Sequence, residues 1–312
     1  MRSQNSTRPR FSLLGLRHLV VLSMLASLQH ACAQDSSALP DSASYTLSPI
    51  VVIGRPGWLD EESLVGEYKR PEWTTRRRFG TTRVYIQYEP WEVAVEQWWR
   101  VRTFHDKNPR HLFMEELAIG LPHRMQLDIY YDWAHEGGRT LNKDVAVELR
   151  WALADWDVIP LNPTLYAEYK ATDGDYGSDV WEAKLLLGDD LTPRLHWAFN
   201  AVYEREISRG RANEFALTQG LSYTLVDQVL SAGLEMQYKY ENEQSGRQNG
   251  ARKFQIGPSI QFNPNRNSWI NLVCLFGCTR ESPAVEGFVV IGHNFGRAAG
   301  GRSLSRPTAA PR

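Results

Sequence analysis

Gln228-Val229-Leu230-Ser231-Ala232-Gly233-Leu234-Glu235-Met236-Gln237-Tyr238-Lys239-Tyr240 alternates with a period of two. Leu230, Ala232, Leu234, Met236, Tyr238 and Tyr240 fall on one face; Ser231, Gly233, Glu235, Gln237 and Lys239 fall on the other. Side chains alternate sides along a strand, so this ribbon has one apolar face and one charged, hydrated face. Similar segments cover 91–104, 111–121, 125–134, 145–153, 164–170, 180–188, 194–204, 214–224, 228–240, 252–262, 268–276 and 285–295. That makes twelve, each near the 9–11 residues a tilted spanning strand needs, and an even count is the rule for single-chain bacterial barrels. The pattern predicts an all-β fold, a transmembrane antiparallel up-and-down β-barrel with its polar face inside. A two-layer sandwich would alternate too, but strands of about ten residues are long for one. Thr82 to Tyr88 alternates weakly and reads as a thirteenth strand or as an approach segment ended by Pro90.

The ends agree. Arg2, Arg8, Arg10 and Arg17 precede or flank the apolar run Leu19 to Leu28, and Ala31-Cys32-Ala33 is an A-x-A cleavage site. Such an apolar run suits a secretory signal and is too short to span a bilayer. Cys32 raises a lipoprotein alternative, but Gln29 stands where leucine is wanted. The division expected is 1–33 signal peptide, 34–90 a largely irregular periplasmic arm, 91–295 barrel and 296–312 a basic tail whose composition predicts disorder. Removing the signal leaves 31 basic against 36 acidic residues, with no basic stripe for nucleic acid. Within the arm, Thr46 to Gly54 resembles a TonB box, though the chain is too short for a large plugged receptor. Arg76-Arg77-Arg78 makes the arm long and basic enough to enter an acidic lumen as a plug.

Short turns alternate with longer Gly- and charge-rich links, except that Ala154 to Pro163 is longer than its class predicts. The alternation places both termini in the periplasm and the long loops outside, in a cell outer membrane. The final strand closes on Phe295, a signal that barrel-assembly machinery would read. Lipid should meet Trp99, Leu127, Ile129, Trp133, Val147, Leu149, Trp151, Leu185, Trp197, Phe199 and Tyr203.

The inward face carries the candidate functional groups. It takes Glu92, Glu96, Arg100, Arg102, Glu116, Asp128, Asp132, Glu148, Arg150, Glu168, Lys170, Glu182, Lys184, Arg194, His196, Glu204, Glu214, Glu235 and Lys239. So many ionisable groups require a lumen that is hydrated, tightly paired, or both. Glu148/Arg150, Glu168/Lys170 and Glu182/Lys184 suggest ladders of opposite charge between neighbouring strands. An acidic excess would weakly favour cations. Cys274 and Cys278 are spaced to allow a disulfide near a loop, or are simply a strand and a loop residue. Two cysteines without a nearby histidine do not make a metal site, and no cofactor is expected.

Enzymatic signatures are missing. No histidine after the signal has a serine two positions on, and neither Gly-x-Ser-x-Gly nor His-Glu-x-x-His occurs. Asp128, Asp132 and His135 are a faint echo of an omptin-like protease site, and His135 reads equally as a loop residue.

Arg110-His111-Leu112-Phe113-Met114-Glu115-Glu116-Leu117-Ala118-Ile119-Gly120-Leu121-Pro122 resembles a run in exported barrels related to the MetA-pathway phenol-degradation group. Gly257-Pro258-Ser259-Ile260-Gln261, the two-strand unit around Ala183 to Tyr203 and the closing Phe-x-x-x-Gly-x-x-Phe are similar too. The resemblance spans roughly 80–296 and implies a barrel, often described as a transporter, with no catalytic residue. The functional expectation is passive passage of a small solute. The alternative is a plugged, non-conducting barrel that acts through its extracellular loops.

Overall fold

The computed structural model describes residues 59–207, 212–242 and 250–296. The expected signal peptide, the TonB-box-like string and the basic tail beyond Gly296 lie outside the described residues. A short segment comes first: two 3-10 turns, Asp60–Glu62 and Glu72–Thr75, and the paired strands β1 (Leu64–Val65) and β2 (Arg70–Pro71). Twelve long strands follow. They are β3 (Val93–Thr103), β4 (Arg110–Leu121), β5 (Met125–Glu136), β6 (Arg139–Ala152), β7 (Thr164–Thr172), β8 (Val180–Thr192), β9 (Leu195–Glu206), β10 (Asn213–Val226), β11 (Leu230–Asn242), β12 (Ala251–Asn265), β13 (Ser268–Gly277) and β14 (Val285–Asn294).

Each pairs antiparallel with its neighbour, and β14 closes on β3 from Val285 opposite Thr103 to Asn294 opposite Ala94. Closure leaves no strand edge, as a bilayer demands. Apolar side chains face outward, Trp99, Ile129, Val147, Leu149, Trp151 and Leu185 among them, and all are exposed. The fold is therefore a transmembrane β-barrel. Trp133 stacks flat on Phe113 across the β4–β5 pair, and Trp197 on Phe199 along β9.

Two links differ from their sequence reading. The expected loop from His135 to Asp144 shrinks to Gly137-Gly138, because β5 and β6 run on past it. Both glycines take positive φ (58° and 76°), the geometry a two-residue hairpin with the right twist requires. The over-long Ala154–Pro163 link has a task that a strand count does not reveal. Trp156 turns in from it to meet Trp73 and Tyr85 edge-on, and its amide donates to the Tyr68 carbonyl at 3.3 Å.

Those partners belong to the N-terminal segment. Residues 59–90 do not stand off as a separate arm; they run through the barrel interior. Phe79, Tyr85, Ile86 and Tyr88 are at most 1% exposed, and Thr82 to Tyr88 is a lumen segment, not a thirteenth strand. The wall makes room at Gly188, where a Cβ would sit 2.5 Å from Val84, and at Gly220, where it would sit 2.4 Å from the Phe79 ring.

Candidate functional site

The interior divides into a filled half, toward the short turns, and an open half, toward the long loops. In the filled half the segment is fixed around the wall. Arg77 Nε donates to both Glu96 carboxylate oxygens at 2.9 and 2.7 Å, and Arg77 Nη2 lies 3.3 Å from Glu116. Arg83 Nη2 reaches Glu116 at 3.3 Å and the Tyr130 hydroxyl at 2.9 Å. Glu235 accepts from the amides of Gly80 (3.0 Å) and Thr81 (2.7 Å) and from the Thr81 hydroxyl (2.6 Å). On the far wall Arg150 pairs with both Asp128 and Glu148, and its Nη1 donates to Gln87 Oε1 at 3.2 Å.

Nearest the turns, Arg78 donates to Glu61, Ser222, Gln261 and Thr224. Burial alone would raise the Glu61 carboxyl. Its hydrogen bond with His196 and the Arg78 charge outweigh that and bring it down to about 2. Trp73 stacks on His196 with ring centroids 4.5 Å apart, and its Nε1 donates to Asp190 at 2.7 Å.

The open half is a cavity of about 910 Å³. Arg77, Gly80, Thr81 and Arg83 form its floor; Phe104 to Lys107, Tyr176 to Ser178 and Arg280 to Pro283 form its mouth. Among the described residues, twelve Lys and Arg and eleven Asp and Glu line it. The acidic excess read along the strands does not carry over to this space. Arg77 and Arg83 enter from the segment, and Lys143, Arg110 and Lys253 join from strand ends. Lys143 is turned in by a bulge, where the β5–β6 register shifts between Asp132 and Trp133.

The expected ladders of opposite charge are replaced by another arrangement. The register sets like against like: Asp128, Glu148, Glu168, Glu182, Glu204, Glu214 and Glu241 lie opposite one another in turn from β5 to β11. Such rows repel unless cations intercalate. They do so diagonally. Lys170 lies within 3.3 Å of Glu182 and 3.1 Å of Glu204, Lys184 pairs with Glu182, and Lys239 sits 2.7 Å from Glu214. Facing this acidic belt, Arg100 and Arg102 on β3 share Glu286 at 3.6 and 2.7 Å. Each wall of the cavity thus carries both signs.

The residues expected to line the lumen divide along the same boundary. Glu96, Glu116, Asp128, Glu148, Arg150, His196 and Glu235 are buried in the filled half. Arg100, Arg102, Asp132, Glu168, Lys170, Glu182, Lys184, Glu204, Glu214 and Lys239 border the cavity. Glu92 and Arg194 sit at the turn end instead: Glu92 accepts from Asn294 at 3.2 Å, and Arg194 donates to the Thr224 carbonyl at 3.0 Å. Asp128 and Asp132 point inward while His135 is exposed and bonded to Thr140, so the three do not assemble.

Cys274 and Cys278 are both free. Cys274 faces outward from β13, whose alternate residues Val273 and Leu275 are buried, and Cys278 is exposed beyond the strand end. Four extended residues separate α-carbons by about 13 Å, far beyond a disulfide's reach. Sequence reading missed Glu286, Tyr130 and, on the segment, Glu61 and Arg83. Glu286 was legible, being two residues before Phe288 on an inward row; Glu61 carried no periodic signal.

No family model matches the chain, and no curated protein matches it in sequence. Solved structures match it in fold. An outer-membrane channel of Pseudomonas putida F1 is 8% identical, with a TM-score of 0.51 over 70% of this chain and 100% of that one. The NanC porin is 12% identical, with a TM-score of 0.46 over 64% of this chain and 97% of its own. The KdgM porin, solved with disordered oligogalacturonate, is 10% identical at a TM-score of 0.45, over 65% and 99%. At these identities the likeness is one of fold.

Proposed function

We propose that the protein is an outer-membrane channel for small polar solutes, closed toward its turn end by its own N-terminal segment. The cavity carries this reading. It is a charge-lined space that opens toward the long loops and stops at the segment, the shape of a vestibule above a gate. Eight-stranded barrels are filled by side chains, and sixteen or more leave an open channel. A twelve-stranded barrel half filled by its own chain falls between. Near balance of charge, with both signs on each wall, suits zwitterionic or polyhydroxylated solutes better than simple cations.

The outward apolar surface and the similarity to outer-membrane porins support that membrane. The alternation of short turns and long loops supports periplasmic termini, and the last strand before Phe295 is the segment the assembly machinery would take. The resemblance of Arg110 to Pro122 to the phenol-degradation group favours an organic solute.

The number of bonds holding residues 59–90 favours a second reading, a permanently plugged barrel working through its loops. Single-channel recording of refolded protein under a salt gradient separates the two. Steps that enlarge when residues 59–90 are deleted support the channel. Silence from the folded wild-type chain, with steps only once residues 59–90 are deleted, supports the plugged barrel.

A further inference from the structure

We infer that Glu61, Glu62 and His196 form a binding site for a first-row divalent cation of the zinc type, which clamps the N-terminal segment to the barrel wall. The three side chains come from two separate pieces of the molecule. Glu61 and Glu62 stand on the first turn of the segment, and His196 stands on β9. One oxygen of each carboxylate and one imidazole nitrogen lie within 4.8 Å of one another, and all three residues are buried. His196 Nε2 is 3.1 Å from Glu61 Oε1 and 3.7 Å from Glu62 Oε1. Donors bound to one tetrahedral ion at about 2.0–2.2 Å stand roughly 3.3 Å apart, so little movement is needed.

The surroundings are those of a held ligand set. His196 Nδ1 lies 2.8 Å from Asp190 Oδ1, and Trp73 fixes that carboxylate with a 2.7 Å hydrogen bond while stacking on the ring. A carboxylate on one imidazole nitrogen sets the tautomer that directs the other nitrogen's lone pair at a metal. Glu61 uses Oε2 for Arg78, at 3.1 Å, while Oε1 accepts from the Thr224 hydroxyl and faces the histidine. Thr224 Oγ1 stands 3.5 Å from His196 Nε2, within reach as a fourth donor or as a hydrogen-bond donor to a ligand oxygen. Carboxylate oxygens of Asp190, Glu61 and Glu62 lie 2.8, 3.1 and 3.7 Å from the imidazole nitrogens, a setting that favours a bound cation. Imidazole with two carboxylates suits zinc and its neighbours rather than calcium or magnesium.

The test is calorimetric titration of the refolded full chain in detergent with Zn2+ and, separately, Ca2+. Its readout is binding, so it stands or falls apart from the channel reading. The site predicts one zinc bound per chain, no comparable calcium binding, and at least about tenfold weaker zinc affinity in His196→Ala and in Glu62→Gln. Glu62→Gln leaves the Arg78–Glu61 pair intact and decides the matter if His196→Ala does not refold. No zinc binding by the folded wild-type chain, or equal affinity in the variants, overturns the proposal and leaves His196 as a hydrogen-bonding link between Asp190 and Glu61.

Discussion

The filled and open halves of the lumen are built from the same strands with the same alternation, yet they treat charge differently. In the filled half, Arg150, Asp128 and Glu148 have no exposed side-chain surface, and each charge has a partner fixed by the segment or the wall. In the open half, Arg100 keeps 32% of its side-chain surface and Lys170 keeps 20%. Period-two patterning places a charge on the inside; a second chain segment then determines whether it becomes a dry structural bond or a hydrated lining. Buried pairs are costly to break from one side, because the remaining charge stays desolvated, whereas partly hydrated ones are not.

The largest expected effect tests that contrast directly. Arg150→Met leaves Asp128 and Glu148 unpaired and should destabilise the barrel by about 3–5 kcal/mol. Lys184→Met, in the open half, should cost under about 1 kcal/mol. Denaturant unfolding of the two refolded variants side by side gives the comparison, and equal losses would erase the distinction between the halves.

Next comes the seam between them. Glu235→Ala removes the acceptor of three hydrogen bonds from Gly80 and Thr81. A loss of about 1–3 kcal/mol is expected, with faster amide exchange confined to residues 76–88. Gly220→Val places a Cβ where the Phe79 ring lies, 2.4 Å away, and should displace the segment at a cost of about 1–3 kcal/mol. Its signature is larger or more frequent bilayer current steps than the wild-type chain gives. The smallest effect belongs to the open half alone. Arg100→Gln with Arg102→Gln turns a balanced lining acidic, so the reversal potential under a salt gradient should move toward cation preference.

Most of the barrel was legible because the bilayer imposes two simple rules, alternation and closure. Strands such as β11 announce both faces in their own residues. The register was not legible, since whether Glu168 opposes a lysine or Glu182 depends on where each hairpin turns. The bulge at Lys143 and the Gly137-Gly138 hairpin shift it without leaving the pattern. The segment was legible only as composition. Arg76-Arg77-Arg78 suggested a plug, but which carboxylates it would meet is a matter of contacts across the fold. Glu61 and His196 are 135 residues apart with no motif between them.

The most direct test is whether residues 59–90 occupy the lumen. Thr82 Oγ1 and Thr218 Oγ1, one on the segment and one on β10, lie 3.1 Å apart. Thr82→Cys with Thr218→Cys, in a background carrying Cys274→Ser and Cys278→Ser, places two thiols side by side. Mild oxidation of the folded protein should join them in high yield and hold the bilayer conductance at its smallest level until a reductant is added. Two thiols that stay unjoined and both react freely with a water-soluble maleimide would contradict the plugged lumen.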